Sequence, residues 1–187
     1  MSLTHAVMGL LRVRPMTGYD LKTAWFDRSM RYFWPADQAQ IYRTLDGLTI
    51  KGWASFHIEP GADRPNRKVF TLTGDGEVEL LRWLAEPQPL PTVRDPLLVQ
   101  LFCGDALRDA DLIALLRDQR SRHEERRRQY DEVADVIERA PATDRQRRLW
   151  HLTLANGQGR EDAYLAWLDE AIDILARDDE TSPEASR

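Results

Sequence analysis

Trp34-Pro35-Ala36-Asp37-Gln38-Ala39-Gln40-Ile41-Tyr42-Arg43-Thr44-Leu45-Asp46-Gly47-Leu48 is the stretch on which the reading of the fold turns. Asp37 stands where a helix N-cap belongs, its carboxylate placed to accept backbone N–H groups of the first turn, and Gln40 three residues on completes a capping box. From that start Ile41, Leu45 and Leu48 fall at i, i+4 and i+7 and share one face, the one to be buried. The opposite face carries Ala39, Arg43 and Asp46, with Gln40 and Tyr42 on its flanks. A small residue and long polar ones suit a helix that enters a major groove, where Arg and Gln can each make two hydrogen bonds to a base edge. An ordinary amphipathic helix with a solvated outer face has the same pattern, so this helix alone does not decide.

The residues that follow do. Gly52 suits a helix C-terminus, and Trp53 to Glu59 then alternates Ala54, Phe56 and Ile58 against Trp53, Ser55 and His57, the period of a strand. Pro60, Gly61 and Pro65 break it and Arg67 to Leu72 resumes it, so the pair reads as a hairpin whose tip carries Arg64, Asn66, Arg67 and Lys68. Cations gathered at such a tip make a wing able to lie along a phosphate backbone or enter a minor groove.

Upstream, Leu3, Val7 and Leu10 give a first helix, ended by Arg14-Pro15. Thr17 and Asp20 form a second capping box, opening a supporting helix with Leu21, Ala24 and Trp25 inward. Tyr19 and Lys22 near its start are candidate phosphate contacts, although Tyr19 suits packing against the next helix equally well. Asp27 to Phe33 has no clear period and reads as an irregular connection, and Trp34 after it as core, with a pocket wall as the second choice. Thr73 caps a fourth helix with Val78, Leu81 and Leu84 inward.

Gly18-Tyr19-Asp20-Leu21, Phe33-Trp34-Pro35, Gln40-Ile41-Tyr42, Gly52-Trp53 and Asn66-Arg67-Lys68-Val69-Phe70-Thr71-Leu72-Thr73 followed by Gly76 together resemble the PadR-type winged-helix transcriptional regulators, over roughly residues 3 to 86. The resemblance implies a dimeric repressor whose C-terminal helices make the dimer contacts. Asp37 departs from the Ser or Thr common at that cap, and its charge makes direct phosphate contact by this residue doubtful.

Pro87, Pro89, Pro91 and Pro96 crowd an interval where helix cannot easily continue, and the domain boundary is placed there. The expected division is a DNA-binding domain over 1–88, a linker over 89–96, a helical dimerisation domain over 97–177 and a disordered acidic tail over 178–187. Leu97, Leu98, Leu101 and Phe102 form a short helix. A long one runs from Leu112 through His123 and Tyr130 to Ile137, and a last one carries the stripe Leu149, Leu152, Asn156, Ala163, Trp167 and Ala171 with Tyr164 and Leu168 beside it. These eight residues are the candidate dimer contacts, with Asn156-Gly157 interrupting the stripe. Glu124-Glu125-Arg126-Arg127-Arg128 reads as surface ion pairs rather than a second nucleic-acid site. The fold class is thus mainly α, a winged helix-turn-helix followed by a long-helix arm.

The chain has 187 residues, 42% hydrophobic and 30% charged, with a net charge of −5. The acidity is unevenly placed: residues 1–90 hold 11 Lys/Arg against 10 Asp/Glu, net +1, and residues 91–187 hold 15 against 21, net −6. A basic face in the first half can therefore coexist with an acidic body that suppresses indiscriminate nucleic-acid binding. No stretch suits a membrane span or a signal peptide, and the lone Cys103 fits a reducing cytoplasm. His5, His57, His123 and His151 lack metal-site spacing, Gly157-Gln158-Gly159 lacks a dinucleotide fingerprint, and no nucleophile motif occurs, so neither cofactor nor metal nor catalysis is expected.

The expected partners are double-stranded operator DNA and a second copy of the chain. PadR-like proteins also resemble ligand-responsive switches, and the six Trp residues suggest a small aromatic or amphipathic effector near Trp34, Trp150 and Trp167. For DNA the candidate contacts are Tyr19, Lys22, Gln38, Ala39, Gln40, Tyr42, Arg43, Arg64, Asn66, Arg67 and Lys68. The competing reading is a winged-helix adaptor that binds protein and not DNA. Such an adaptor has no need of a cationic wing or of a Gln/Arg outer helix face.

Overall fold

The computed structural model of the chain describes residues 2–60 and 66–181. Two compact units divide the chain, Met1–Leu90 and Pro91–Arg187. The first contains α1 (Ser2–Val13), α2 (Gly18–Leu21), α3 (Gln38–Ile50), β1 (Ala54–Glu59), β2 (Arg67–Leu72) and α4 (Gly74–Ala85). Val7, Met8 and Leu11 of α1, Leu21 of α2, Ile41, Leu45 and Leu48 of α3, Phe70 of β2 and Leu80 of α4 make one core.

The starts of α2, α3 and α4 are each fixed by a side chain. Thr17 Oγ1 accepts from Asp20 N–H at 3.0 Å while Thr17 N–H donates to Asp20 Oδ2 at 3.1 Å. Asp37 and Gln40 make the same reciprocal pair at the start of α3, at 2.7 and 2.8 Å. Thr73 accepts from Gly76 N–H at 3.1 Å to start α4. Gly52, at φ 72°, ends α3 in the left-handed conformation that glycine adopts without steric cost. The strands pair antiparallel from Ala54↔Leu72 to Glu59↔Arg67. Met16, in the turn before α2, exchanges both backbone hydrogen bonds with Phe70, at 3.1 and 2.9 Å, tying the helices to the wing.

Several expectations are corrected here. Asp27 to Phe33 is not wholly irregular, since a 3₁₀ turn spans Met30–Tyr32, and before it α2 passes into a π-turn over Lys22–Phe26. The extra residue of the π-turn moves the inward position on from Trp25, so Phe26 is buried while Ala24 and Trp25 are only half-buried. Trp34 is not core, being 38% exposed.

In α4 the inward face is Gly76 and Leu80, with half-buried Trp83 stacked on buried His5 at 4.5 Å. Val78, Leu81 and Leu84 point outward, 70%, 50% and 60% exposed. The rotation is set by Gly76, where a Cβ would stand 2.1 Å from the Trp53 carbonyl oxygen. A residue without a side chain contributes nothing to an apolar stripe, so its control of the helix is invisible to a periodicity count.

The second unit contains α5 (Pro96–Phe102), a 3₁₀ turn (Gly104–Ala106), α6 (Asp109–Arg139) and α7 (Asp144–Thr181). Asp95 caps α5, accepting from Leu97 N–H at 3.0 Å. Helices α6 and α7 form an antiparallel hairpin: Arg120 meets Asp169, His123 meets Glu161, and Tyr130 meets Gly157. Leu97, Leu116 and Leu168 form the apolar core of this unit. The expected interruption at Asn156-Gly157 is not a break, since α7 runs through it. Gly157 instead admits the Tyr130 ring, which a Cβ would meet at 2.7 Å. Of the tail expected to be disordered, residues 178–181 continue α7, and 182–187 lie outside the described residues.

Candidate nucleic-acid interface

Because Ile41, Leu45 and Leu48 are fully clamped in the core, α3 has one orientation, and Gln38, Ala39, Arg43 and Asp46 stand exposed on its other side. Gln40 has two roles: its Oε1 caps the helix at Asp37 N–H, and its amide NH₂ remains on the surface to donate. Tyr42 lies over Gly18, where a Cβ would meet its ring at 2.7 Å, so the tyrosine that flanks the outer face also locks α2 to α3. Beside this face an open groove of about 310 Å³ runs between α1 and α3, with Leu3 on one wall and Gln40, Arg43, Gly47 and Lys51 on the other. Lys51, held 4.5 Å above the Trp53 ring, is a cation that the sequence reading passed over as a site residue. It follows Arg43 by eight residues, close to two helical turns, and that spacing is the signal that was available.

Tyr19 is well exposed at the start of α2. Lys22 is hydrogen-bonded to Asp27, so part of its charge is neutralised within the chain. On the wing, Asn66 is exposed, Arg67 pairs with Glu59 at 3.1 Å, and Lys68 lies 4.6 Å over the Phe56 ring. The exposed Arg67–Glu59 ion pair is of the weak, screened kind, and an exposed cation–π contact such as that of Lys68 contributes only about 0.5–1 kcal/mol, so both cations can turn to a phosphate. Arg64 lies outside the described residues.

The chain is 32% identical over 186 residues to a probable transcriptional regulator of Mycobacterium tuberculosis (strain ATCC 25618 / H37Rv), covering 94% of this chain and 98% of that one. The chain belongs to the PadR-like family of transcriptional regulators. The PadR-like family model matches residues 7–82, and a second model, the C-terminal part of virulence activator alpha, matches 93–176. The negative transcriptional regulator PadR of Bacillus subtilis (strain 168) is 29% identical over 182 residues, covering 94% of this chain and 98% of its own. Its crystal structure in complex with operator DNA superposes with a TM-score of 0.82 at 28% identity, over 94% of this chain and 99% of that one. A second crystal structure of it, in complex with p-coumaric acid, superposes at 0.79 and 27% identity over the same shares.

In the arm of this PadR-like chain the candidate dimer residues separate into two sets. Leu149, Leu152, Asn156 and Ala163 are exposed on α7, and Trp167 and Ala171 are half-buried. Leu168 is fully buried against Leu97 and Leu116, so its expected role as a dimer contact is corrected: the side chain is already used within its own unit. Tyr164 is largely used in the same way, donating to Asp95 Oδ2 at 2.6 Å and stacking on His123 at 4.1 Å. Burial and the Asp95 carboxylate both push the Tyr164 hydroxyl above its ordinary pKa, so it stays a neutral donor. The stripe counted from Leu149 did not reveal this because the buried positions of α7, Leu154, Glu161 and Leu168, repeat at heptad spacing one or two residues away from it.

Of the Trp candidates for an effector site, the two on the arm are not gathered in one place. Trp150 and Trp167 are 17 residues apart on one continuous helix, ~25 Å along its axis, too far for one small ligand to touch both in a single chain. Trp167 stands edge-on to Tyr164 at 5.1 Å, beside His123 and buried Glu161, which meet at 2.5 Å. Trp34 belongs to the first unit.

Proposed function

We propose that this chain is a sequence-specific DNA-binding repressor that works as a homodimer in the cytoplasm. Residues 1–88 form its DNA-binding domain, 89–96 its linker and 97–177 its dimerising arm. The observation that carries this reading is the outer face of α3, polar and solvent-exposed on a helix whose other side is immobilised in the core. A helix so held can present side chains to base edges without paying to be ordered on binding. Gln38, Ala39, Gln40 and Arg43 meet the bases. Tyr19, Lys22 and Lys51 meet the flanking backbone, with Tyr42 fixing the spacing of α2 and α3. Arg64, Asn66, Arg67 and Lys68 form the contact of the wing. Leu149, Leu152, Asn156 and Ala163 lead the dimer contacts.

Two copies related by a two-fold axis bind a pseudo-palindromic operator with half-sites about one helical turn, ~34 Å, apart, and block transcription by occupancy. No step requires a metal, an organic cofactor or catalysis. The crystallised complex of the Bacillus relative with p-coumaric acid supports an aromatic effector here as well. Such a ligand releases the operator only by binding the released spacing more tightly than the bound one.

A gel shift with the DNA upstream of the protein's own gene tests the DNA reading. The expected result is a complex removed by unlabelled specific duplex and left intact by scrambled duplex. Equal competition by both would mean that no sequence is read.

A further inference from the structure

Arg43 and Asp46 are three residues apart on the exposed side of α3, a spacing at which helical ion pairs ordinarily close. The same order and spacing closes at the start of α6, where Arg108 at the N-cap grips Asp111 through two hydrogen bonds of 2.9 Å. In the reverse order Glu79 and Arg82 meet at 2.7 Å, and Glu125 and Arg128 at 2.6 Å. Arg43 and Asp46 pair neither with each other nor with any other described residue. Arg43 lies along the groove wall that Lys51 shares, and the Asp46 carboxylate is left to solvent.

A free carboxylate on a face that approaches a polyanion is repelled by every phosphate it nears, so its presence there calls for a partner that donates. Ala39, Arg43 and Asp46 lie at i, i+4 and i+7, opposite Ile41, Leu45 and Leu48. Asp46 therefore faces the bases if α3 lies in the major groove, and the donor matched to a carboxylate there is the N4 amino group of cytosine. Three residues advance ~4.5 Å along a helix, close to one base-pair step of ~3.4 Å.

Resting on the DNA-binding reading above, we propose that Asp46 is a specificity-determining residue, accepting a hydrogen bond from cytosine N4 at the base pair next to a guanine held by Arg43. The half-site then contains adjacent G·C pairs, one read by each side chain.

The test uses the full-length protein and its Asp46→Ala and Asp46→Asn variants. Each is titrated against duplexes in which every position of the half-site is changed in turn. Wild type is expected to prefer cytosine at one position roughly ten- to hundredfold. Asp46→Ala loses that preference there and nowhere else, and Asp46→Asn moves it to adenine, whose N6 and N7 match an amide. The dependence on salt stays unchanged, because the carboxylate touches no phosphate. Both variants keep helix α3, which circular dichroism verifies, since Asp46 makes no side-chain bond and Ala is the better helix former. Retention of the wild-type preference by Asp46→Ala overturns the proposal. So does a uniform gain of affinity on all duplexes, random DNA included, which would make Asp46 a general repellent. A wild type that discriminates no sequence overturns the DNA reading together with it.

Discussion

Gly76 and Gly18 both admit a close neighbour, and they differ in what that neighbour is. A Cβ at Gly76 meets the Trp53 carbonyl oxygen at 2.1 Å, part of a backbone that Thr73 N–H holds at 3.0 Å. The nearest atoms to a Cβ at Gly18 belong to the Tyr42 side chain, 38% exposed and so freer to give than a hydrogen-bonded backbone. Gly18→Ala should therefore cost about 1–3 kcal/mol and Gly76→Ala more, as read from urea denaturation. Equal effects would show that the hairpin yields as easily as the ring.

Glu79 carries a pH prediction at the same scale. Hydrogen bonds from Arg82 and then from His5 hold its carboxyl down from 4.5 to about 2. A carboxylate whose folded pKa is lowered stabilises the fold above its unfolded pKa and loses that contribution as pH falls toward the folded one. Acid destabilisation from this group should thus develop between about pH 4.5 and 2, and Arg82→Ala should move the Glu79 carbon titration in NMR upward. An unmoved titration would assign the shift to another neighbour.

At the scale of elements, the helix starts were legible because the capping side chains are written in the chain: the reciprocal pairs Thr17 with Asp20 and Asp37 with Gln40, and Thr73 alone before α4. The rotation of α4 and the π-turn after α2 were not. One depends on the contact of a side chain that Gly76 lacks, the other on an extra backbone residue that leaves the apolar count unchanged. The outer face of α3 was legible from the buried stripe opposite it. The double duty of Gln40 was legible too, from its place in the capping box and on the flank of that face, whereas Lys51 was marked only by its spacing from Arg43, and its share of the groove wall needed coordinates.

In α7 the distinction between buried and outward residues gives an opposing pair of outcomes. Leu168→Ala should cost about 2–5 kcal/mol of unfolding free energy by emptying the core shared with Leu97 and Leu116. Replacing exposed Leu149 and Leu152 together by Glu should leave helical content near wild type while sedimentation falls to a single chain. A dimer that persists in the Glu variant would place the interface on another face.

For the whole molecule, a first half near neutrality joined to an acidic second half means that DNA affinity depends on a few placed cations and not on bulk charge. Arg67→Ala and Lys68→Ala should weaken binding to operator and unrelated DNA alike. Each should lower the slope of log affinity against log salt by about one. Arg43→Ala should instead lose ~1–3 kcal/mol at one base pair and relax preference there. Titrations at several salt concentrations separate the two kinds of contact.

Whether two chains read one inverted repeat is measured by selection from a random duplex pool with the full-length protein at physiological salt. The expected result is enrichment of a two-fold-symmetric sequence with half-site centres about one helical turn apart, bound by two chains per duplex. Enrichment of no sequence, or of a single unrepeated element bound by one chain, would contradict it.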